Sequence, residues 1–172
     1  PYKSLAREIC QNSLDAKIDN GHPVRVEFSC SKLSVDDDIL NDFSSLKNAI
    51  EACYTFWYKQ NNKKIKDFFH KALKLINSGT ISLLRISDFN TIGLTGTNGE
   101  INTNWTNLTK SSGASDKKGT AGGSYGIGKY APFACSDFST VFYNTYNKDE
   151  EVAYQGVSRL VTFKREDDET TQ

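Results

Sequence analysis

Over 172 residues, 21 lysines and arginines balance 21 aspartates and glutamates, so the overall charge gives no argument for binding nucleic acid or a membrane surface. This length suits one domain with a substantial hydrophobic core. No apolar run is long enough to span a bilayer, and no signal peptide is visible. The four cysteines form no Cys-x-x-Cys pair and have no matching histidine cluster, so we expect free thiols in a reducing cytoplasm.

The first half of the chain predicts a helix, a strand, two helices and a second strand. Residues 1–20 have helical periodicity, and residues 24–30 alternate between apolar and polar side chains, as a half-buried strand does. Between residues 39 and 76, apolar side chains recur at steps of three and four in two stretches, which predicts a packed pair of helices. Residues 81–87 predict a strand that leads directly into Asp88.

The second half predicts a long loop followed by a helix and a hairpin. Residues 95–124 are rich in glycine, serine, threonine and asparagine, and loops of this length are typically functional lids or disordered segments. Residues 126–135 indicate a glycine-led helix start, while residues 137–146 and 152–163 indicate two paired strands. The polar tail 165–172 is expected to fray.

Three polar residues of the first helix form an edge that a surface helix does not need. At ~100° per residue, Glu8, Asn12 and Asp15 fall within roughly 60° of one another, beside an apolar stripe that begins at Leu5 and includes Cys10. A carboxylate one turn from an amide can activate a water molecule beside a bound cation. The alternative is that these acids are simply solvated.

A glycine-rich segment precedes the predicted helix at residue 126. Gly122–Lys129 reads GGSYGIGK, and small residues let a backbone approach an anion at the positive end of a helix dipole. The segment lacks the Walker pattern and does not follow a first strand, which disfavours a dinucleotide fold. It is therefore a candidate phosphate loop, with an ordinary turn as the alternative.

Asp88 is the third candidate. A carboxylate fixed at the end of a buried strand can accept a hydrogen bond from an exocyclic amino group, and Gly93 leaves room for a flat ring beside it. The alternative is a strand-end aspartate that begins a turn.

The order of these three motifs resembles the motif series of the GHKL ATPases. The first is Glu-x-x-x-Asn-x-x-Asp-Ala, the second is a strand-end Asp followed by Gly, and the third is Gly-x-x-Gly-x-Gly. The closest branches in appearance are the heat-shock chaperones, MutL and the MORC-like proteins. The resemblance implies a Bergerat-type fold, which is a two-layer α/β sandwich with a mixed sheet backed by helices. It covers roughly residues 3–163 in motif order, although only about thirty positions carry it.

The resemblance also implies a role for each candidate residue, with ATP as substrate and Mg²⁺ as cofactor. Glu8 is expected to be the general base for the attacking water, Asn12 the magnesium ligand, and Asp15 a support of the pocket. Asp88 is expected to bind the adenine amino group, with Gly93 under the ring. The phosphates are expected to lie against the lid residues Gly123, Tyr125, Gly126, Ile127, Gly128 and Lys129.

Two features depart from the family pattern. The adenine motif is usually Asp-x-Gly-x-Gly, whereas here Asn90 replaces the first glycine and an extra residue precedes Gly93. Because asparagine tolerates a left-handed conformation, we expect the turn to survive. Residues 35–79 form a helical insertion, which either packs against the domain or, over residues 36–78, docks a protein partner.

We therefore expect a single ATP-binding domain over residues 1–172, with a lid at residues 95–125, as a fragment of a longer protein. Slow ATP hydrolysis would drive closure of the lid and of a dimer clamp. The parent protein would be a DNA-related or antiviral defence ATPase. We expect nucleic acid as a candidate partner of the full-length protein, and no membrane. Two alternatives stay open. One is a histidine-kinase-type catalytic domain, with His22 or His70 as the only candidate acceptors. The other is a non-hydrolysing interaction module that nucleotide stabilises.

Overall fold

The computed structural model describes residues 1–34, 43–110, 128–164 and 170–171. These residues have mixed α and β structure, as the sequence predicts. The helices are Tyr2–Asp15 (α1), Phe43–Tyr58 (α2), Lys63–Ile76 (α3), Asn104–Thr109 (α4) and Ala131–Ala134 (α5). The strands are Arg25–Ser34 (β1), Thr80–Phe89 (β2), Thr140–Tyr146 (β3), Val152–Ser158 (β4), Phe163–Lys164 (β5) and Thr170–Thr171 (β6).

The strands pair two by two, β1 with β2, β3 with β4, and β5 with β6. The chain divides into two compact units. Unit 1 contains Pro1–Glu27 and Ile86–Ser158, and unit 2 contains Phe28–Arg85 and Arg159–Gln172. All the candidate site residues fall within the ranges of unit 1.

In unit 1, α1 is shorter than predicted, since it ends at Asp15 and not near residue 20. The residues that follow pair with another segment. The backbone N–H of Ile92 donates to the carbonyl of Ala16 at 2.8 Å, and the N–H of Ile18 donates to the carbonyl of Asn90 at 3.2 Å. A backbone that is satisfied by this bridge cannot also continue the helix.

The predicted hairpin is confirmed. Strands β3 and β4 are antiparallel, with Tyr146 opposite Val152 and a turn over residues 147–151. The second strand ends at Ser158, however, and not at residue 163.

Within the predicted loop, helix α4 was missed. A capping box forms its first turn, because the side chains of Thr103 and Thr106 each accept from the other's backbone N–H. Trp105 is 4 % exposed and anchors the helix in the core of unit 1. A short helix with a single buried aromatic residue has no periodicity that a sequence pattern could detect.

In unit 2, helices α2 and α3 form the predicted pair. Their facing residues are buried, namely Phe43, Ile50, Cys53, Phe69, Ala72 and Ile76. Asn62 caps α3 by accepting from the N–H of Ile65 at 3.2 Å. Positions 39 and 40, which begin the predicted pattern, lie outside the described residues.

The segment after β4 adds to the same core. The indole N–H of Trp57 donates to the carbonyl of Thr162 at 3.0 Å, and Phe163 is buried. Strand β5 then pairs with β6, so Thr170–Thr171 belong to a small sheet and not to a frayed tail. All four cysteines are free thiols, as predicted, and burial raises the pKa of the Cys53 thiol to about 12.

Candidate functional site

The α1 polar edge, by which we mean Glu8, Asn12 and Asp15, borders the buried side of its helix. Leu5 and Ser13 are 2 % and 3 % exposed, so the buried stripe runs through these positions. Glu8 is half-buried, whereas Asn12 and Asp15 are exposed. Cys10, which the sequence pattern assigned to the apolar stripe, is also exposed.

Among the residues that the structure describes, few groups contact this edge. One carboxylate oxygen of Asp15 accepts from the side-chain amide of Gln11 at 3.0 Å, on the exposed surface. Oxygen atoms of this kind, on an exposed carboxylate and an exposed amide one turn apart, are suitable ligands or water-orienting groups for a hard cation.

Asp88 lies within β2 as its penultimate residue, and not directly after the strand as predicted. Its side chain is exposed. Next to it, the guanidinium of Arg25 lies 4.1 Å from the centre of the Phe89 ring, which holds the end of the strand against β1.

Asn90 has the left-handed conformation that the sequence predicts, with φ of 62°. Its side-chain amide donates to the carbonyl of Pro23 at 2.8 Å. Asparagine therefore supplies both the turn geometry that glycine would give and an anchor that glycine would not.

The backbone bridge from residues 16–18 to residues 90–92 places two of the three candidate stretches side by side. The third stretch is partly described. Gly128 and Lys129 begin a 3-10 helix that leads into α5, and α5 contacts α1. Gly123, Tyr125, Gly126 and Ile127 lie outside the described residues.

Lys129 is not directed only at solvent. Its ammonium donates to the carbonyl of Asn107 at 3.5 Å and lies 5.8 Å from the centre of the Tyr130 ring. The residue thus connects the helix that follows the glycine segment with α4.

The segment after Asn90 is fixed to the β3–β4 turn. The N–H of Lys148 donates to the carbonyl of Ile92 at 2.9 Å, and the N–H of Leu94 donates to the hydroxyl of Thr145 at 2.9 Å. The side-chain amide of Asn147 donates to the carbonyl of Leu94 at 3.1 Å. These bonds satisfy alternate backbone groups of the segment, so the hairpin turn sets its path.

Gly93 is required by this path. Its φ is 66°, and a Cβ atom built on it would lie 2.8 Å from the Cα of Asn147 and 2.9 Å from the carbonyl oxygen of Tyr146. The glycine is therefore explained by close packing of two backbones. The sequence interpretation, that Gly93 leaves room for a flat ring, is not needed to account for it.

Sequence reasoning did not identify the polar residues that hold this segment. We call Thr97, Thr145, Asn147 and Glu151 the Asn147 cluster. Asn147 is 2 % exposed, and its side-chain oxygen accepts from the N–H groups of Asp149 and Glu151, both at 3.0 Å. The amide also donates to the Glu151 carboxylate at 2.7 Å. The only sequence signal was an asparagine at a predicted turn.

The Glu151 carboxylate accepts twice. Besides the amide of Asn147, the hydroxyl of Thr97 donates to the same oxygen at 2.9 Å. These two hydrogen bonds lower the pKa of Glu151 below its ordinary value, and the bond from Asn147 has the larger effect.

Among the residues that the structure describes, no group of three or more histidines, cysteines, aspartates or glutamates is placed to hold a metal ion. In the same ranges, no helix is both long and apolar enough to cross a membrane. Comparison of the chain with protein-family models, with curated proteins and with solved structures finds no match.

Proposed function

We propose that this chain binds ATP with Mg²⁺ and hydrolyses it slowly, through a GHKL-type site on a Bergerat-like fold. The observation that carries the proposal is the backbone bridge between residues 16–18 and residues 90–92. It supports a single site because it brings the end of α1 next to the segment that follows Asp88. The contact between α1 and α5 supports the same arrangement from the side of the glycine segment.

The α1 polar edge supplies the groups for the phosphate end of the nucleotide. Asn12 is the proposed magnesium ligand, and the side chain is exposed as such a ligand must be. Mg²⁺ is commonly held by one or two protein oxygens together with phosphates and waters, so a three-residue protein cage is not needed. When bound, the ion would neutralise charge on the phosphates.

Glu8 is the proposed general base. Its carboxylate lies one helical turn from Asn12, and its half-burial leaves it on the border of the buried stripe. In this position it would orient a water molecule towards the terminal phosphorus and accept its proton. Positioning of this kind is the main contribution that a protein makes to phosphoryl transfer.

Asp88 is the proposed partner of the adenine amino group. The carboxylate is exposed at the end of β2, while the neighbouring Asn90 is anchored through its side chain. A rigid turn next to an exposed acceptor is the arrangement that recognition of a base edge requires.

Calorimetric titration with Mg-ATP tests the binding half of the proposal. Asp88→Asn is expected to abolish measurable binding, because the amide loses the negative charge and one of the two acceptor oxygens of the carboxylate. The matched control is Asp149→Asn, which changes an exposed acid of the same unit that lies outside the proposed site. Wild-type ATP affinity in the Asp88→Asn variant contradicts the pocket.

Turnover in the same samples tests the hydrolytic half. Glu8→Ala is expected to keep nucleotide affinity within about threefold and to lower phosphate release by roughly 100-fold or more, as for loss of a general base. Full turnover in this variant contradicts the assignment of the base. If the wild-type chain binds Mg-ATP and never hydrolyses it, the non-hydrolysing alternative replaces the ATPase.

A further inference from the structure

The α2–α3 pair carries a strong local charge within a neutral chain. Residues 43–76 contain seven lysines and two acidic residues, a net charge of +5, whereas the whole chain has a net charge of zero. One lysine of α2 is paired, since the ammonium of Lys47 lies 4.0 Å from the Glu51 carboxylate. Packing of the two helices does not require these charges, because their buried contacts are apolar.

Three of these lysines share one side of α3. These are Lys63, Lys66 and Lys74, which are separated by three and eight residues, and His70 lies between the last two. On a helix, this spacing places the four side chains within roughly 80° of the circumference. The stripe extends over roughly 16 Å from its first to its last lysine, at ~1.5 Å per residue. In the described part of the chain, neither Lys63 nor Lys74 has an acidic partner within 4.0 Å, and both are exposed.

Aromatic rings of α2 lie along the same stripe. The ammonium of Lys66 is 5.4 Å from the centre of the Tyr58 ring, and the imidazole of His70 stacks on Tyr54 with ring centres 6.5 Å apart. Tyr54 and Tyr58 are themselves 5.6 Å apart. Tyr58 is 61 % exposed, although it is one of the larger apolar side chains of unit 2.

We propose that this lysine–tyrosine face, formed by Tyr54, Tyr58, Lys63, Lys66, His70 and Lys74, binds single-stranded nucleic acid. Lysines in a row match the regular negative charges of a phosphodiester backbone. The exposed Tyr58 ring beside them can stack on an unpaired base, which a duplex keeps within its own stack. An acidic peptide would use the charges but leave the rings without a function, so a single strand fits more of the surface.

The experiment is fluorescence anisotropy of the 172-residue chain without ATP. The probes are labelled single strands of DNA and of RNA of about 15 nucleotides, within the range of site sizes for small binding domains, and the matching duplex. We expect both single strands to bind more tightly than the duplex, with an affinity that falls steeply as salt is raised.

Two charge variants separate this face from general electrostatics. The triple change Lys63→Gln, Lys66→Gln and Lys74→Gln keeps residues with good helix propensity and is expected to weaken binding at least tenfold. It should also reduce the slope of log affinity against log salt by about two, at ~0.7 per lost phosphate contact. The control removes the same charge from exposed lysines elsewhere, through Lys3→Gln, Lys32→Gln and Lys148→Gln, and should change affinity by less than about threefold.

The ring has its own test. Tyr58→Leu is expected to lower the affinity for single strands roughly tenfold, and Tyr58→Phe is expected to retain it, because stacking needs the ring and not the hydroxyl. Circular dichroism of each variant checks that the helices are intact.

Four results would overturn the proposal. These are the absence of binding to either single strand at low salt, equal losses in the two triple variants, a duplex that binds as tightly as the single strands, and equally tight competition by polyglutamate. The test does not involve the proposed ATP site, so its failure leaves the ATPase proposal unaffected.

Discussion

The α1 polar edge and the Asn147 cluster are both polar, and both belong to unit 1, but they are used differently. Asn147 is almost fully buried, and its side-chain amide and oxygen each make two hydrogen bonds to protein groups. Asn12 is exposed, and within the described part of the chain the Asp15 carboxylate has only the surface contact from Gln11. Polar groups whose hydrogen bonds are already made within the protein hold structure, and groups left accessible are available to a ligand. The comparison predicts that stability depends on the cluster and that binding depends on the edge.

The largest expected effect on stability is that of Gly93→Ala. The new Cβ atom would be forced against the Cα of Asn147, and the positive φ is itself unfavourable for alanine. We expect a loss of about 3 kcal/mol or more in the free energy of unfolding, measured with urea.

Gly99→Ala is the control for backbone strain alone. Gly99 also has a positive φ, of 93°, but nothing lies within 4 Å of a Cβ atom there. Its cost should be about 1 kcal/mol, from the left-handed conformation. Equal losses at Gly93 and Gly99 would show that close packing against the hairpin turn contributes nothing.

Asn147→Ala should have the next largest effect. It removes the acceptor for two backbone N–H groups and the donor to Leu94, and these groups are left without that partner in a part-buried turn. The expected loss is about 2–4 kcal/mol in the free energy of unfolding.

Asn144→Ala provides the matched control on the neighbouring strand. Asn144 has an exposed side chain in β3, so its replacement should cost less than about 0.5 kcal/mol. If the two asparagine variants are equally stable, the buried cluster does not hold the segment after Asn90.

The helical pair and the β3–β4 hairpin could be predicted from the sequence because their signals are local. Periodic apolar residues define α2 and α3, and an Asn-Lys-Asp turn between alternating strands defines the hairpin. The left-handed Asn90 was also predictable, since few residues tolerate that conformation.

The rest depends on contacts between distant parts of the chain. The end of α1 is set by its bridge to residues 90–92, which lie more than seventy positions away. Glycine is needed at position 93 because the backbone of Asn147 packs closely against it. Helix α4 is stabilised by a capping box and one buried tryptophan. A local pattern contains none of this information. Local polar and glycine patterns indicate the candidate site residues, a family resemblance gives their roles, and those roles stay predictions.

Acid should weaken the Asn147 cluster. The folded-state pKa of Glu151 is below its ordinary value because Asn147 and Thr97 donate to the carboxylate. Its contribution to stability is therefore fully present above the ordinary glutamate pKa and is lost as the pH falls through the folded pKa. Glu151→Gln keeps an acceptor oxygen but cannot titrate, so its urea midpoint should fall less steeply on acidification.

Asp19 provides an internal comparison. Its pKa is also lowered, first by the hydrogen bond from the His22 side chain and then by the N–H groups of His22 and Gly21. Its titration remains in Glu151→Gln, so the acid dependence should shrink without disappearing. A pH profile of Glu151→Gln identical to that of the wild type would mean that the cluster does not depend on this charge.

The smallest effect on stability is expected at the α1 polar edge, and it is the most informative one. Asn12→Ala replaces an exposed side chain on a helix with the residue of highest helix propensity, so the free energy of unfolding should change by less than about 0.5 kcal/mol. The same change should lower the affinity for Mg-ATP at least tenfold, with a smaller loss for ATP in the presence of EDTA, because only the first depends on the proposed magnesium ligand. Thermal unfolding and calorimetry on one sample separate the two quantities. A variant that loses stability and binds Mg-ATP normally would reverse the comparison, and would mean that Asn12 is a structural residue like Asn147.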